Sequence, residues 1–421
     1  MKQFFLACLI GLLYACNSTT PSDNATVSSI QPGNWRATLN INTVDSPLLL
    51  PFNIVVVNAE DEAAMPTFRI QNGAEIIEAT MITRDTADAT QFTITLPVFN
   101  STIMARLEDQ LLVGQWHNHA KKGYRLPFKA EYGSAQRFLN TQAPSQPLAK
   151  RWRVTFNPNT PDAYLAIGLF EVAKDGNATG TFMTETGDYR YLAGHFDGHL
   201  LQLSCFDGAH AFLFKATLNE QGDLNGRFWS GNHWNGPWIA SPNEDFQLTD
   251  MQNLTYLKEG YEYLEFAFPD INGDTIVYNS DSYQDKVTIV QISGSWCPNC
   301  MDASRFLGQL YQNNKNKGLH MVAIDYELEN NFELFQTNEK KLRKDLNIKY
   351  PVLFGGAAKK TIASKTLPML NKIISYPTSI FIDKKGKVRA IHTGFAGPST
   401  GEIYTNYIKK TKAFVQELLA E

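Results

Sequence analysis

Two cysteines in the segment Trp296-Cys297-Pro298-Asn299-Cys300 have the type and spacing for redox chemistry. Thiols separated by two residues at the start of a helix can close a disulfide within the first turn and reopen it. The unpaired amides and the positive dipole end of such a helix favour a thiolate at the first sulfur. Cys297 is therefore expected to be the nucleophile and Cys300 the resolving thiol. Cys297 attacks a disulfide, a mixed disulfide forms, and Cys300 displaces the reduced partner; run backwards, the same pair oxidises. The competing reading of a Cys-x-x-Cys pair is half of a zinc site, which needs two further ligands. The same region offers only His320 and His392, so no metal is expected and the cofactor is the reversible Cys297–Cys300 disulfide itself. Trp296 reads either as a core aromatic or as a cover beside the reactive sulfur, with Pro298 inside the motif.

Positioning that pair requires a strand before it and a helix after it. Lys286 to Ile292 is a β-branched apolar run, and Phe306, Leu307, Leu310 and Tyr311 recur at helical spacing after the motif. Further alternation follows: a strand from Leu319 to Ile324, a helix from Glu333 to Leu346, and an extended run from Pro351 to Phe354. A mostly helical stretch from Thr361 to Ile374 comes next, then a hairpin of Thr378–Ile382 and Val388–His392 around Lys385-Gly386, and a closing helix from Glu402 to Leu419. This is an α/β pattern. Within it, Ser375-Tyr376-Pro377-Thr378 places a proline at a strand entrance, where the missing N–H is tolerated.

The preceding 200 or so residues read differently. From about Trp35 to Phe246 short alternating runs such as Phe92-Thr93-Ile94-Thr95-Leu96 are broken by Asp-Gly turns, without a convincing long helix. The region also repeats: Trp35-Arg36-Ala37-Thr38-Leu39 answers to Trp152-Arg153-Val154-Thr155-Phe156. Val98-Phe99-Asn100 followed by Gly114-Gln115-Trp116 answers to Cys205-Phe206-Asp207 followed by Gly226-Arg227-Phe228-Trp229. Two related antiparallel meanders are expected, closing into one barrel or packing as a sandwich, with the barrel-like form favoured because closure removes sheet edges. His117, His119, Trp229, His233, Trp234 and Trp238 invite a pocket or a metal site, but no carboxylate or Cys completes a ligand set, and core or surface packing is the stronger reading. Cys205 stands alone and reads as a small core residue.

The chain of 421 residues, 43% hydrophobic and 12% aromatic, has enough material for two or three cores. A formal net charge of −4 without a long basic run excludes a nucleic-acid partner. At the N-terminus an apolar run from Phe4 to Ala15 is short of the ~20 residues that span a bilayer and reads as a signal peptide, which takes Cys8 with it. Leu13-Tyr14-Ala15-Cys16 resembles the lipobox of bacterial lipoproteins, in which Cys16 would be acylated; a plain secretory signal is the alternative. The Ser, Thr, Pro and Asn-rich stretch from Asn17 to Ser29 suits a tether. The expected organisation is a signal peptide at 1–15, a tether at 16–30, a β-rich unit at 31–248, a connector at 249–261 and an α/β unit at 262–421.

The Trp-Cys-Pro-Asn-Cys motif, Tyr376-Pro377-Thr378 and the Phe381-Ile382-Asp383-Lys384-Lys385-Gly386-Lys387-Val388 hairpin resemble the thioredoxin superfamily. With Phe266-Ala267-Phe268-Pro269-Asp270-Ile271-Asn272-Gly273 as a leading hairpin, residues 262–421 are similar to its TlpA and ResA-like branch of exported thiol-disulfide oxidoreductases. The resemblance implies a multidomain chain, all-β followed by a thioredoxin fold. It implies a cis Pro377 packed with Tyr376 against the Cys pair, and a disulfide reductase acting on exported client proteins. It also implies electrons from a membrane thiol donor, while the lipobox at Cys16 and the lack of an acidic run after it point to a lipid-anchored, periplasm-facing location in a Gram-negative-type bacterium. Two departures bear on proton transfer. Gln291 stands where thioredoxin has a buried Asp, and Ala303 where the branch usually has a Glu. Asp302 is a nearby substitute acceptor, although a helix-surface carboxylate is more often only solvated. An AhpC/TSA-type peroxidase shares the fold but needs a hydroxyl where this chain has Gly294. A third reading makes the β unit a binding module with a vestigial redox domain.

Overall fold

The computed structural model describes residues 30–42, 46–59, 65–139 and 141–421. The signal segment 1–15, Cys16 and the tether to residue 29 lie outside the described residues.

The β region forms two nine-stranded antiparallel sheets rather than one shared barrel. In each, the first strand pairs with both the second and the last. Gly33–Asn40 lies between Leu49–Val57 and Tyr124–Tyr132, and Arg151–Phe156 between Tyr164–Val172 and Trp234–Pro242. The repeated Trp-Arg pair falls on these two strands. Trp35 and Trp152 are buried, and each indole Nε1 donates to a nearby carbonyl at 2.8 Å, of Gln31 and Ala149. In the second repeated pair, Gly114-Gln115-Trp116 and Gly226-Arg227-Phe228-Trp229 fall on Leu111–Asn118 and Leu224–Ser230, which precede the last strand of each sheet. At Gly114 a Cβ would meet the Met104 carbonyl, and at Gly226 the Trp238 ring and the Lys215 carbonyl, so both repeats need a bare backbone there. In the second sheet Tyr164–Val172 also pairs with Asn177–Thr184, which joins the ends and closes the barrel. The first sheet stays open and packs on it. Phe206, Ala211 and Leu213 of the barrel enter the first sheet's core, and Arg137 is buried between them, donating to Asn53 Oδ1 at 2.9 Å and the Ser204 carbonyl at 3.0 Å.

The C-terminal unit has a five-stranded mixed sheet ordered Val352–Ala357, Leu319–Glu327, Val287–Ser293, Thr378–Ile382, Val388–Thr393. The first three strands are parallel, Thr378–Ile382 runs antiparallel to Val287–Ser293, and Val388–Thr393 pairs antiparallel with Thr378–Ile382. Four helices accompany it: α1 (Pro298–Asn314), α2 (Phe332–Asp345), α3 (Lys360–Thr366) and α4 (Glu402–Ala420). Every residue of Val287–Ser293 is buried, as expected for a strand covered on both faces. The stretch expected to be helical to Ile374 stops at Thr366. Pro368 cannot continue a helix, and Leu370 is taken instead by a bridge to Leu257 of the connector.

The two regions share a core. Val98, Phe99 and Ala209, in loops of the β region, belong to the same apolar cluster as Cys300, Leu307 and Tyr376. Burying a side chain as large as Phe99 contributes about 1.5–3 kcal/mol, so this contact is part of the fold.

Candidate active site

Val287–Ser293 delivers the chain to Gly294, and α1 begins four residues later with Pro298 in its first turn, where a missing N–H costs nothing. Cys297 is the N-cap: its Sγ accepts from the Cys300 amide at 3.2 Å, and the thiol donates to the Tyr376 carbonyl at 3.4 Å. The Tyr376–Pro377 bond is cis. The Trp296 indole donates to the Tyr326 carbonyl at 2.9 Å, and its ring meets Tyr376 edge-on at 5.6 Å. Trp296, Cys297, Pro298, Cys300, Tyr376 and Pro377 are thus brought together. Both thiols are free, and they differ in access: Cys297 is 6% exposed and borders a cavity, whereas Cys300 is 0% exposed. Burial, then the neighbouring Cys297, pushes the Cys300 thiol well above its ordinary range. Cys205 is buried in the barrel core, in a different apolar cluster from this pair.

Asp302 does not sit on a solvated helix surface. It is buried, with one carboxylate oxygen paired to Arg190 of the barrel and the other to Arg305 Nη1 at 2.9 Å. With both oxygens held by guanidinium groups it bridges the two regions and is poorly disposed to take a proton. Arg190 also pairs with Glu75 of the first sheet and lies 3.6 Å from Asp207. Burial alone would lower its pKa, but the Glu75, Asp207 and Asp188 carboxylates more than reverse this and hold it cationic.

Gln291 bonds to Ser304 Oγ at 3.0 Å and to the Cys300 carbonyl at 3.4 Å, so its face of the sheet lies under the first turns of α1. On that same face the register sets Ser293 opposite Asp325. Asp325 lines a small internal void with Ser293, Met301 and Ser304, and its charge contributes to the raised Cys300 thiol. Burial, reinforced by the neighbouring Glu327, raises the Asp325 carboxyl to about 8, while a Ser293 hydrogen bond opposes the shift. Asp325 lies one residue beyond the expected strand Leu319–Ile324. The signal that could have found it is the pair Asp325 and Glu327 at the carboxyl end of a parallel strand, where α/β sheets gather their chemistry.

Beyond Cys297 the barrel supplies a wall. The Asn299 amide donates to the Asp188 carbonyl at 3.2 Å, Ser375 Oγ to the Thr186 carbonyl at 2.8 Å, and the Gly397 amide to the Asp188 carboxylate. Of the polar aromatics expected to be only packed, His233 and Trp234 line a cavity, whereas Trp238 is buried and Trp229 packs on the first sheet's core. His117 and His119 bond to Gln115 Oε1 and Thr102 Oγ1.

Residues 258–407 match the family model described as Redoxin. Among curated proteins the chain is 29% identical over 153 residues to the thiol-disulfide oxidoreductase ResA of Bacillus thuringiensis subsp. konkukian, covering 36% of this chain and 77% of that one. A ResA from a strain of Bacillus cereus is 26% identical over 151 residues, with the same coverage. Among solved structures, a putative thiol:disulfide interchange protein DsbE from Chlorobium tepidum aligns with a TM-score of 0.28 and 20% identity over 37% of this chain and 98% of its own. A putative protein disulfide isomerase from Bacteroides thetaiotaomicron aligns with a TM-score of 0.29 and 18% identity over 40% and 93%.

Proposed function

We propose that residues 258–407, which match the Redoxin model and are similar to ResA thiol-disulfide oxidoreductases, make the chain a membrane-tethered disulfide reductase of exported proteins working through Cys297 and Cys300. The observation that carries the reading is the division of labour between the sulfurs: Cys297 caps α1 at the edge of a cavity and Cys300 is sealed behind it.

Cys297 attacks one sulfur of a client disulfide. The client S–S bond breaks, a mixed disulfide forms, and the leaving sulfur takes a proton from solvent. The Cys300 amide points at the Cys297 sulfur that makes the attack. Cys300 then gives up its proton and attacks Cys297, releasing the second client thiol and leaving a Cys297–Cys300 disulfide; two electrons have passed to the client. With Gln291, Ala303 and the doubly paired Asp302 unsuited to the task, Asp325, whose charge acts on the Cys300 thiol, is the acceptor for the Cys300 proton when its carboxyl is ionised, and it returns that proton to the departing client sulfur. A membrane thiol donor restores the dithiol, and a lipid on Cys16 holds the protein on the periplasmic face.

The test is turnover of a disulfide substrate by the full chain. Cys297→Ser should abolish it, and Cys300→Ser should stop after one event with substrate covalently held. Undiminished turnover by Cys297→Ser overturns the assignment.

A further inference from the structure

The docked barrel turns the surroundings of Cys297 into a walled aromatic cleft. One cavity of about 650 Å³ is bordered by Cys297, Pro298 and Asn299 on one side and by the barrel segment from Thr184 to Tyr189 on the other. A second of about 630 Å³ extends outward past Phe228, His233 and Trp234. The two share Tyr164, Tyr189, His210, Phe212 and Trp296, so they are adjoining chambers of one cleft with Trp296 at the junction. A drug-sized or side-chain-sized ligand is normally enclosed by 300–1,000 Å³, so each chamber can take a bulky side chain with its backbone.

The wall is built closely. A Cβ on Gly187 would collide with the Asn299 amide, and one on Gly394 with the Thr186 backbone, so barrel and redox domain meet there without space between them. A broad folded surface cannot approach Cys297 from that side, and a narrow segment can enter along the cleft. Trp234 and Leu328 are large apolar side chains left exposed in the outer chamber, and Trp234 rests on Phe228 at 5.2 Å between ring centroids. Around them Asn118 and Asn338 are paired within the protein, whereas Asn100 and Asn157, which donate to Asn338 Oδ1 at 3.3 Å and to the Asp162 carbonyl at 3.5 Å, each keep an amide oxygen that can accept from a peptide N–H. Lys121 and Asp162 bring one charge of each sign, so the outer chamber is not a site for a highly charged ligand.

We infer that this cleft is a substrate-recognition site for an extended, disulfide-bearing peptide segment with an aromatic or large apolar side chain within a residue or two of the half-cystine. The half-cystine lies against Cys297 and the aromatic side chain fills the outer chamber, where stacking and burial favour it by about tenfold. The inference rests on Cys297 being the attacking sulfur. It adds that the barrel selects the sequence next to the disulfide.

The experiment uses the full chain and two synthetic peptides with one intramolecular disulfide each, differing only in Trp or Gly beside a half-cystine. The expected result is a kcat/KM about tenfold higher for the Trp peptide, most of it in KM. In Trp234→Ala and Leu328→Ala the ratio between the peptides should fall toward one. Equal kcat/KM for both peptides in the wild type, or a ratio unmoved by both variants, overturns the cleft assignment. Binding of the Trp and Gly peptides to Cys297→Ser, read by calorimetry, separates this from failure of the functional reading. Tighter Trp-peptide binding supports the cleft even if Cys297→Ser keeps turnover, and equal binding overturns it.

Discussion

Replacing Asp325 by Asn tests the proton acceptor and the burial that tunes it in one variant. The Asp325 carboxyl is raised from 3.8 to about 8 in the folded chain. A group whose folded pKa is raised holds its proton more tightly when folded. Its favourable contribution is therefore complete below about pH 4, is lost as pH rises from about 4 to about 8, and levels off above that. At 1.36 kcal/mol per unit, the loss between pH 4 and pH 7 is about 4 kcal/mol, an upper figure because buried carboxylates draw in water and neighbours relax. Asn does not titrate. The difference in thermal midpoint between Asp325→Asn and wild type should grow in favour of the variant from pH 4 to pH 7, by roughly 8–16 °C for a unit of this size at the upper figure. Glu327 and Glu339, the acids that push Asp325 upward, remain in both proteins, so the comparison isolates residue 325. Parallel melting curves across that range would refute the raised carboxyl.

The kinetic arm is independent of stability. With no acceptor at 325, the step in which Cys300 displaces the client should slow by about 10²-fold, the usual worth of a positioned base. The first attack by Cys297 should be little changed. Quenched reactions resolved by mass should then show the mixed disulfide accumulating in Asp325→Asn. Release at the wild-type rate removes Asp325 from the mechanism even if the melting curves diverge as expected.

Iodoacetamide under native conditions should modify Cys297 well before Cys300 or Cys205, because only Cys297 opens to the cleft; peptide mapping that finds equal rates would count against that geometry. Arg190→Leu leaves Glu75, Asp207 and Asp302 buried around a missing cation and should cost about 3–5 kcal/mol, read as a lowered thermal midpoint, whereas a loss under about 1 kcal/mol would mean the cluster is not closed to water. Cys16→Ser should move the protein from the membrane fraction to the soluble periplasm on fractionation, and a wild-type protein already soluble there would end the lipoprotein reading.

Local signals made much of the redox domain legible. The order of strands and helices from Val287 to Ala420 follows apolar runs and periods that each element carries by itself, and the Cys pair identifies its own position at a helix start. The misreading at 367–374 has the same origin. Leu367, Met369, Leu370 and Ile373 are apolar at helix-like spacing and are indeed buried, but as a loop packed on the connector, which no local period reveals. In the β region the repeat was readable as sequence. Whether the two meanders share a barrel was not, since it turns on the Tyr164–Val172 to Asn177–Thr184 pairing and on strands of one sheet packing against the other.

The residues that the sequence hid are those whose roles come from distant partners. Asp302 looks like an ordinary helix residue until Arg190, 112 positions earlier, is brought onto it. Arg190 in turn carries no motif, yet it connects Glu75 of the first sheet, the barrel and the helix that carries Cys300. Asp325 acquires its raised carboxyl because the packed sheet buries it beside Glu327, against the pull of the Ser293 hydrogen bond. The same contacts argue against treating the β region as a detachable spacer. Removing residues 30–246 would strip Val98, Phe99 and Ala209 from a core they share with Cys300, leave Asp302 paired only with Arg305, and open the cleft beside Cys297 on one side. The sulfur chemistry proposed for Cys297 and Cys300 needs only that pair and an acceptor, but the surroundings of Cys297 are made by both halves of the chain.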